Sequence, residues 1–374
     1  MKISINRNIL LEALQLAVNI SPKTTSDPII NNTLIETLGE KEILVKATNH
    51  ENSVYGEFEA NVISPGKICV GTSKLFNLVR ELKDTLLEID STPQNWVYIT
   101  SGNSKIKLPG VEPDQFPIIE FKKMEREFSL SSGILKNAID RTFFAIGENE
   151  SRKNLMGLNL KIELPNLISW TGADSFRISQ YNTELDESAL VDSSIIVPKK
   201  SLLDIKRVLD HSDEKVVISF DDNVFQVFSK TVKYKTRLIE AEYPNLGRLV
   251  NGQSIYSVIL PKFELLNAVK ILSTITEGDS KSVMKLTFQE GRVTLESQKL
   301  EFGEGNDVIF CDYVGEEMAI GLNIKFFLDA IQAFDNTSDD NVVLNFTKPE
   351  APFIIQCQEW DNYKTVLMPV RIQW

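Results

Sequence analysis

Residues 195–204 read Ile195-Ile-Val-Pro-Lys-Lys-Ser-Leu-Leu-Asp204, a short apolar strand that passes directly into an amphipathic helix. The same unit stands at Ile68-Cys-Val before Leu75-Phe-Asn-Leu-Val and at Ile320-Gly-Leu before Phe327-Leu-Asp-Ala, so Asn77, Asp204 and Asp329 correspond. A second strand-helix unit opens each third of the chain. It reads Lys2-Ile-Ser-Ile-Asn into Ile9-Leu-Leu-Glu-Ala-Leu, Phe128-Ser-Leu into Ile134-Leu-Lys-Asn-Ala-Ile, and Ser257-Val-Ile-Leu into Leu265-Leu-Asn-Ala-Val, with Ala13, Ala138 and Ala268 in register. Successive copies lie about 125 to 130 residues apart, far beyond the roughly 20 to 50 residues of a solenoid repeat. Duplicated domains are therefore expected, and 374 residues hold three of ordinary size. Charged or turn-forming stretches at Lys122-Lys-Met-Glu-Arg-Glu and Asn251-Gly-Gln place the joints near 126 and 252, giving domains 1–126, 127–252 and 253–374.

Between these units the sequence alternates β-rich runs with turn residues. Val216-Val-Ile-Ser-Phe and Val224-Phe-Gln-Val-Phe flank Asp221-Asp-Asn as a hairpin, and Glu42-Ile-Leu-Val-Lys, Trp96-Val-Tyr-Ile, Val293-Thr-Leu-Glu and Val342-Val-Leu-Asn-Phe are similar runs. Each third thus holds two helices and six to eight short strands, an α+β domain with helices covering one face of antiparallel sheet.

An apolar fraction of 42% with 25% charged residues is ordinary globular composition, which excludes disordered and fibrous classes. There is no run of roughly 20 apolar residues to span a bilayer, so no membrane partner is expected. Ile9-Leu-Leu after Lys2 and Arg7 superficially resembles a signal peptide, but Glu12 and the recurrence of the pattern inside the chain argue against one. Cys69, Cys311 and Cys357 lie in apolar runs without close spacing and read as reduced core thiols of a cytoplasmic protein.

The net charge of −12 argues against a nucleic-acid partner held by phosphate neutralisation, unless the basic residues are concentrated. Projection at about 100° per residue concentrates them. Leu75, Leu78, Val79 and Leu82 form one stripe, with Lys74, Asn77, Arg80 and Lys83 on the remaining arc. Leu202, Ile205, Val208 and Leu209 form another, with Lys199, Lys200, Lys206 and Arg207 to one side; the third copy keeps Lys325. A single basic face is ordinarily a solvated surface. Its recurrence in two repeats leaves solvation and ligand binding both open.

No catalytic constellation emerges. The two histidines, His50 and His211, lie in polar loops away from any nucleophile or His-Glu-x-x-His pattern, and no Walker loop is present. Phe302-Gly-Glu-Gly-Asn reads as a turn, and Asp221-Asp222 and Asp339-Asp340, each followed by Asn, read as turn residues rather than metal ligands. No active site, metal or cofactor is expected.

The six strand-helix units, together with Asp114-Gln-Phe-Pro, Ile196-Val-Pro-Lys-Lys, Glu242-Tyr-Pro-Asn and the ending Met368-Pro-Val-Arg-Ile, resemble the bacterial sliding clamps, the beta subunits of DNA polymerase III, over the whole chain. The resemblance implies a DNA clamp fold: three tandem α+β domains that form a ring as a head-to-tail homodimer, with helices lining the hole. It implies a processivity factor, not an enzyme, that encircles duplex DNA without reading sequence and tethers the replicative polymerase. A clamp loader and other proteins carrying a clamp-binding motif are the further partners. An acidic exterior with a basic lining reconciles the charge with DNA, since a closed ring is held by topology. The DNA-facing residues would be Lys23, Lys74, Arg80, Arg152, Lys199, Lys200, Lys206 and Lys325, making phosphate contacts. The alternative is a repeat-built interaction scaffold that does not encircle DNA.

The family's partner-peptide groove maps onto Leu155, Ala173, Ser175, Phe176, Arg177, Ile178, Pro244, Leu249, Val366, Met368, Pro369, Val370 and Arg371. These aliphatic walls with one adaptable Met suit an extended apolar peptide; Leu155 and Ile178 also read as core. Many family members have Asp-Gly-His-Arg-Leu where this chain has Asp174-Ser-Phe-Arg-Ile, and Gln373 and Trp374 extend past the usual end. For the dimer seam the resemblance points to Lys105, Ile106, Lys107 and Leu108 against Ile271, Leu272, Glu301 and Glu304, with Ile106 and Leu108 as the apolar part and ion pairs setting register. The same strand also reads as an ordinary edge protected by lysines.

Overall fold

The strand-helix units fold as their sequence pattern dictates. In the computed structural model, which describes residues 1–148, 151–185, 192–209, 215–275, 282–299, 303–334, 339–358 and 361–372, the helices are α1 (Arg7–Ile20), α2 (Thr72–Glu81), α3 (Ser132–Thr142), α4 (Lys199–Val208), the single turn α5 (Gly247–Val250), α6 (Lys262–Thr274) and α7 (Ile324–Gln332). Apart from α5, each starts immediately after a strand. Asn6 and Asn323 cap α1 and α7, accepting from the amides of Asn8 and Phe326 at 2.8 and 3.0 Å; such caps contribute about 1 kcal/mol each.

The periodicity determines which helical face is buried. α1 turns Leu10, Ala13, Leu14, Ala17 and Ile20 inward, and the methyl side chains of Ala13 and Ala17 let the helix lie close to strands Glu42–Thr48 and Asn52–Glu59. α2 buries Leu75 and Val79 and leaves Lys74, Asn77 and Arg80 exposed, with Lys83, also exposed, just past its end; α4 buries Leu202, Ile205 and Val208 and exposes Lys200 and Arg207. Each fully buried Leu or Ile contributes about 1.5–3 kcal/mol of transfer free energy, which is what orients these helices.

The chain divides into two compact units, residues 1–136 with 200–238, and residues 137–199 with 239–374. They cut across the sequence repeat because backbone ladders join strands from successive thirds. In the first unit one antiparallel sheet of 13 strands takes in strands of the first two thirds, with Val232–Arg237 pairing Asn52–Glu59. In the second, an eight-stranded sheet is continuous through Arg177–Glu184 paired with Tyr363–Leu367, and a separate four-stranded sheet has the order 303–310, 292–299, 283–289, 318–323. The first third holds nine strands rather than six to eight, because Asn61–Ser64 forms a short extra strand against Lys2–Asn6.

The segment after the first third lies across the sheet of its own unit. The carbonyls of Glu120 and Lys122 accept from Lys235 Nζ and Gln226 Nε2 at 2.9 and 2.6 Å, the Met124 amide donates to Ser219 Oγ at 3.0 Å, and the Phe121 ring packs between Tyr55 and Phe228. The acidic pairs are turn residues: Asp221 Oδ1 accepts from the amides of Asn223 and Val224, and Asp339 Oδ1 from that of Asn341. Cys69 and Cys357 are buried and Cys311 half-buried, all as free thiols; burial pushes the Cys69 thiol up to about 12. Among the described residues no helix is long and apolar enough to cross a membrane, and no group of three His, Cys, Asp or Glu could hold a metal.

Candidate functional site

In the second unit the hairpin of strands Leu167–Ala173 and Arg177–Glu184 turns on Asp174, whose Oδ1 accepts from the amides of Phe176 and Arg177 at 2.8 and 2.9 Å. This Asx turn directs Ala173 and Ile178 into one cluster with Leu155, Val250, Ile354 and Val366, against which Tyr243, Leu246 and Leu249 pack. Tyr243 donates to the Thr171 carbonyl at 3.2 Å, and burial pushes its hydroxyl pKa up. Leu155, Ala173, Ile178 and Val366 are all at most 5% exposed, so they are core beneath this surface rather than its accessible wall. The accessible apolar surface belongs to Phe176 and Met368, at 54% and 36% exposure. Ser175 and Arg371 are exposed beside them, and Pro244, Leu249, Pro369 and Val370 are half-buried.

The terminal segment is held by its backbone. The Met368 amide donates to the Phe176 carbonyl and the Val370 amide to the Gly321 carbonyl, both at 2.8 Å. Gly321 is required there, because a Cβ would lie 2.4 Å from the Val370 oxygen. Gln373 and Trp374 lie outside the described residues.

Arg177 does something other than line a wall. Its side chain is 10% exposed, with Nε 3.0 Å from Asp174 Oδ2 and Nη1 2.7 Å from Asp329 Oδ2 of α7. The guanidinium lies 4.2 Å from the centre of the Phe326 ring, and Phe326 in turn sits 6.1 Å from Phe176. A cation in this position ties the hairpin to α7 and backs the exposed phenyl ring, and the guanidinium fork suits two carboxylates. Sequence reasoning missed Asp329, Phe326, Val250 and Ile354 as parts of this region. Only Asp329 carried a signal, as the third member of the repeated Asn77, Asp204, Asp329 position.

Of the basic residues, Lys23, Lys74, Arg80, Arg152, Lys200 and Lys325 are exposed and Lys206 is half-buried. Lys199 differs: its Nζ donates to the Ile146 carbonyl and to Glu148 Oε1, both at 2.8 Å, and it holds the Glu148 carboxyl below the usual carboxylate range. Its charge is thereby partly compensated.

Strand Ser104–Val111 pairs along one side with Trp96–Ser101 and meets Lys67–Gly71 only through Gly110 and Val111. Residues 105–108 therefore present a backbone edge with no ladder partner among the described residues. Leu108 is buried and Ile106 half-buried, while Lys105 and Lys107 face out, Lys107 lying 3.9 Å over the Trp96 ring. Strand Gly303–Phe310 ends the four-stranded sheet as a second edge, with Glu304 exposed. On α6, Ile271 is 53% exposed but Leu272 only 2%. The expectation that both form a surface pair needs correction: neighbours on a helix point about 100° apart, and Leu272 packs inward beneath Gly305. Glu301 lies outside the described residues.

Three family models match successive parts of the chain: the N-terminal domain of DNA polymerase III beta subunit over residues 1–120, the central domain over 129–245 and the C-terminal domain over 253–371. A beta sliding clamp of Chlamydia muridarum (strain MoPn / Nigg) is 28% identical over 372 residues, covering 100% of this chain and 99% of its own. A beta sliding clamp of Staphylococcus aureus (strain Mu50 / ATCC 700699) is 26% identical over 381 residues, with 99% of each chain covered. Among solved structures, a DNA polymerase sliding clamp from Bacillus subtilis superposes with a TM-score of 0.92 at 24% identity over 100% of both chains. A putative DNA polymerase III beta subunit from Eubacterium rectale gives 0.90 at 25% identity, also over 100% of both.

Proposed function

The chain belongs to the DNA polymerase III beta-subunit family, the sliding clamps that hold a polymerase on duplex DNA, and from that premise we propose how this one closes its ring, meets DNA and receives partners. It is a DNA clamp that tethers the replicative polymerase for processive synthesis. Domains 1–126, 127–252 and 253–374 are its three clamp domains, and two copies join head to tail. Its role is binding, with no catalytic step of its own, in the cytoplasm, and a clamp loader places it on DNA.

The observation that carries this reading is a joint made twice within the chain and left open a third time. Counting along the ladders from the repeated alanines on one side, and from Asn77, Asp204 and Asp329 on the other, Lys233 opposite Tyr55 and Lys364 opposite Gln180 occupy the same place in their two joints. The rungs Ser4–Glu88, Glu88–Thr100 and Thr100–Lys105 bring the count to Lys105 in the first repeat. The rungs Lys285–Glu296 and Glu296–Asn306 bring it to Asn306 in the third. The two open edges, 105–108 and 303–310, are thus the halves of a third antiparallel joint between copies. Lys105 then faces Asn306, Ile106 faces Gly305 and Lys107 faces Glu304. The helices follow the same rule. Leu16 of α1 lines one cavity with Asp204 and Arg207 of α4, and Arg141 of α3 lines another with Asp329 and Gln332 of α7, which sets Ile271 of α6 across from Asn77 and Arg80 of α2 in a second copy.

Closure sets the helical lysines around the duplex, where sliding permits phosphate contacts but no firm base readout. Lys74, Lys200, Lys206 and Lys325, with Lys23 and Arg152 from the loops, make those contacts; Arg80 and Lys199 contribute less because Glu81 and Glu148 share their charge. The Phe176 and Met368 surface over the Leu155, Ala173, Ile178 and Val366 core takes an apolar peptide of a polymerase or another clamp-binding protein. The deciding experiment loads the protein onto nicked circular plasmid with a clamp loader and ATP. Retention on the circle and loss on linearisation are expected, and equal retention on both would sink the encircling reading.

A further inference from the structure

The hairpin turns of the first two repeats share a contact that their sequences do not. Asn49 Oδ1 accepts from the amides of Glu51 and Asn52 at 3.1 and 2.7 Å, the same Asx turn that Asp174 makes in the second repeat. The next residue in each turn, His50 or Ser175, reaches the residue that precedes a 3-10 turn, Asp27 before Pro28–Asn31 or Arg152 before Lys153–Leu155. Both contacts measure 3.0 Å: His50 Nε2 with Asp27 Oδ2, and Arg152 Nη2 with Ser175 Oγ. The chemistry has been exchanged completely, imidazole and carboxylate for hydroxyl and guanidinium, while the link persists.

In the first repeat this link closes a short loop. Its other end is fixed at Ser21, which is buried, donates its amide to the Ala17 carbonyl at 2.9 Å and accepts at Oγ from Thr72, the first residue of α2, at 3.0 Å. Between Ser21 and Asp27 stands the exposed Lys23. His50 itself is held at φ +72, in the left-handed region that a non-glycine residue enters at a cost of order 1 kcal/mol. Its amide donates to Thr48 Oγ1 at 3.1 Å, and Thr48 is 3% exposed, so a buried anchor aims the ring at Asp27. An exposed pair of this kind adds little to global stability. Its effect is to remove freedom from the loop that carries Lys23.

We propose that the His50–Asp27 contact is a positioning clasp that sets the Lys23 loop against the phosphates of encircled DNA, a role that rests on Lys23 facing the duplex. Neither residue touches DNA; both act through Lys23. The test measures binding of the full-length protein to a fluorescein-labelled duplex of about 24 base pairs across a salt series, for wild type, His50→Ala, Lys23→Ala and the double variant. Lys23→Ala should weaken binding and reduce the log–log salt slope by about 0.9, the loss of one phosphate contact. His50→Ala should weaken binding about threefold with part of that slope change, and should add nothing once Lys23 is gone. His50→Gln, whose amide nitrogen extends about as far as the imidazole Nε2 that meets Asp27, should restore most of the loss. Amide hydrogen exchange of residues 23–27 should speed up in His50→Ala while the melting temperature stays put. An equal His50→Ala effect in the Lys23→Ala background, or none where Lys23→Ala has one, overturns the clasp. A silent Lys23→Ala instead overturns the DNA-facing reading of Lys23, and the clasp's role with it.

Discussion

Replacing Ile271 by Ala should weaken the dimer without harming the fold, and replacing its neighbour should do the reverse. Ile271 is 53% exposed in the single chain. Full burial of an isoleucine contributes about 1.5–3 kcal/mol, so covering the exposed half in the proposed seam contributes roughly 1–1.5 kcal/mol. A ring of two copies has two such seams, and Ile271→Ala therefore costs about 2–3 kcal/mol in dimer free energy. At 1.4 kcal/mol per factor of ten, the dissociation constant rises roughly 30- to 150-fold. Leu272, at 2% exposure, packs within its own domain, and Leu272→Ala should cost about 2–5 kcal/mol of folding stability instead. Sedimentation equilibrium over a concentration series, paired with thermal unfolding of both variants, separates the two effects. An unchanged dimer constant for Ile271→Ala would refute the placement of α6 in the seam. A Leu272→Ala variant that loses dimer affinity while melting like wild type would refute the assignment of Leu272 to the interior of its own domain.

Asp204 is half-buried in α4, and burial raises its carboxyl to about 6 in spite of Arg207 at 3.2 Å. A folded-state value above the ordinary 3.8 means that this carboxyl's contribution to stability is full below pH 4 and is lost as pH rises through 6. Asp204→Asn should therefore gain in melting temperature relative to wild type between pH 5 and pH 7.5; a constant difference across that range would rule this out. Removing Arg177 strands two acids, so Arg177→Ala should destabilise by about 2–4 kcal/mol, read from denaturant midpoints, with Asp329→Asn costing less because Asp174 still pairs. Phe176→Ala should leave the melting temperature nearly unchanged, since the ring is 54% exposed, yet lower the affinity of a fluorescent clamp-binding peptide by about tenfold; a titration that overlays wild type would dismiss Phe176 as a contact. Gly321→Ala should loosen the terminal segment, because the Val370 oxygen already fills the position of a Cβ, and limited proteolysis should then trim it faster.

The strand-helix units and the inward faces of the helices were legible because periodicity is a local property. Leu75, Val79, Leu202, Ile205 and Val208 are buried where a 100° projection puts them. The hairpin around Asp221 is also local, its turn closed by the aspartate's own side chain. What stayed hidden depends on partners distant in sequence. The ladders joining 52–59 to 232–237 and 177–184 to 363–367 have no signature in either strand alone, and they are why the compact units cross the repeat. Arg177 reads like any arginine in a strand until Asp329, 152 residues away, closes its ion pair. Leu272 was misjudged because two adjacent apolar residues on a helix cannot both face one surface. His50 and Asp27 carried only a faint sign, the Asn49 and Asp174 turns at matching places in two repeats.

The ladder between 52–59 and 232–237 bears on how the protein tolerates damage. Five antiparallel rungs and the buried hydrogen bond from Ser201 Oγ to Asn52 Oδ1 hold the first two thirds together, quite apart from the peptide that links them. That peptide lies on the surface, with Ile118 at 89% exposure, where a protease would find it. A cut there severs the chain in a denaturing gel but leaves the sheet whole. The two pieces should still migrate as one particle under native conditions and, made separately, should find each other again. Covalent continuity at this joint serves assembly, by keeping the edges at high local concentration, more than it serves the finished structure.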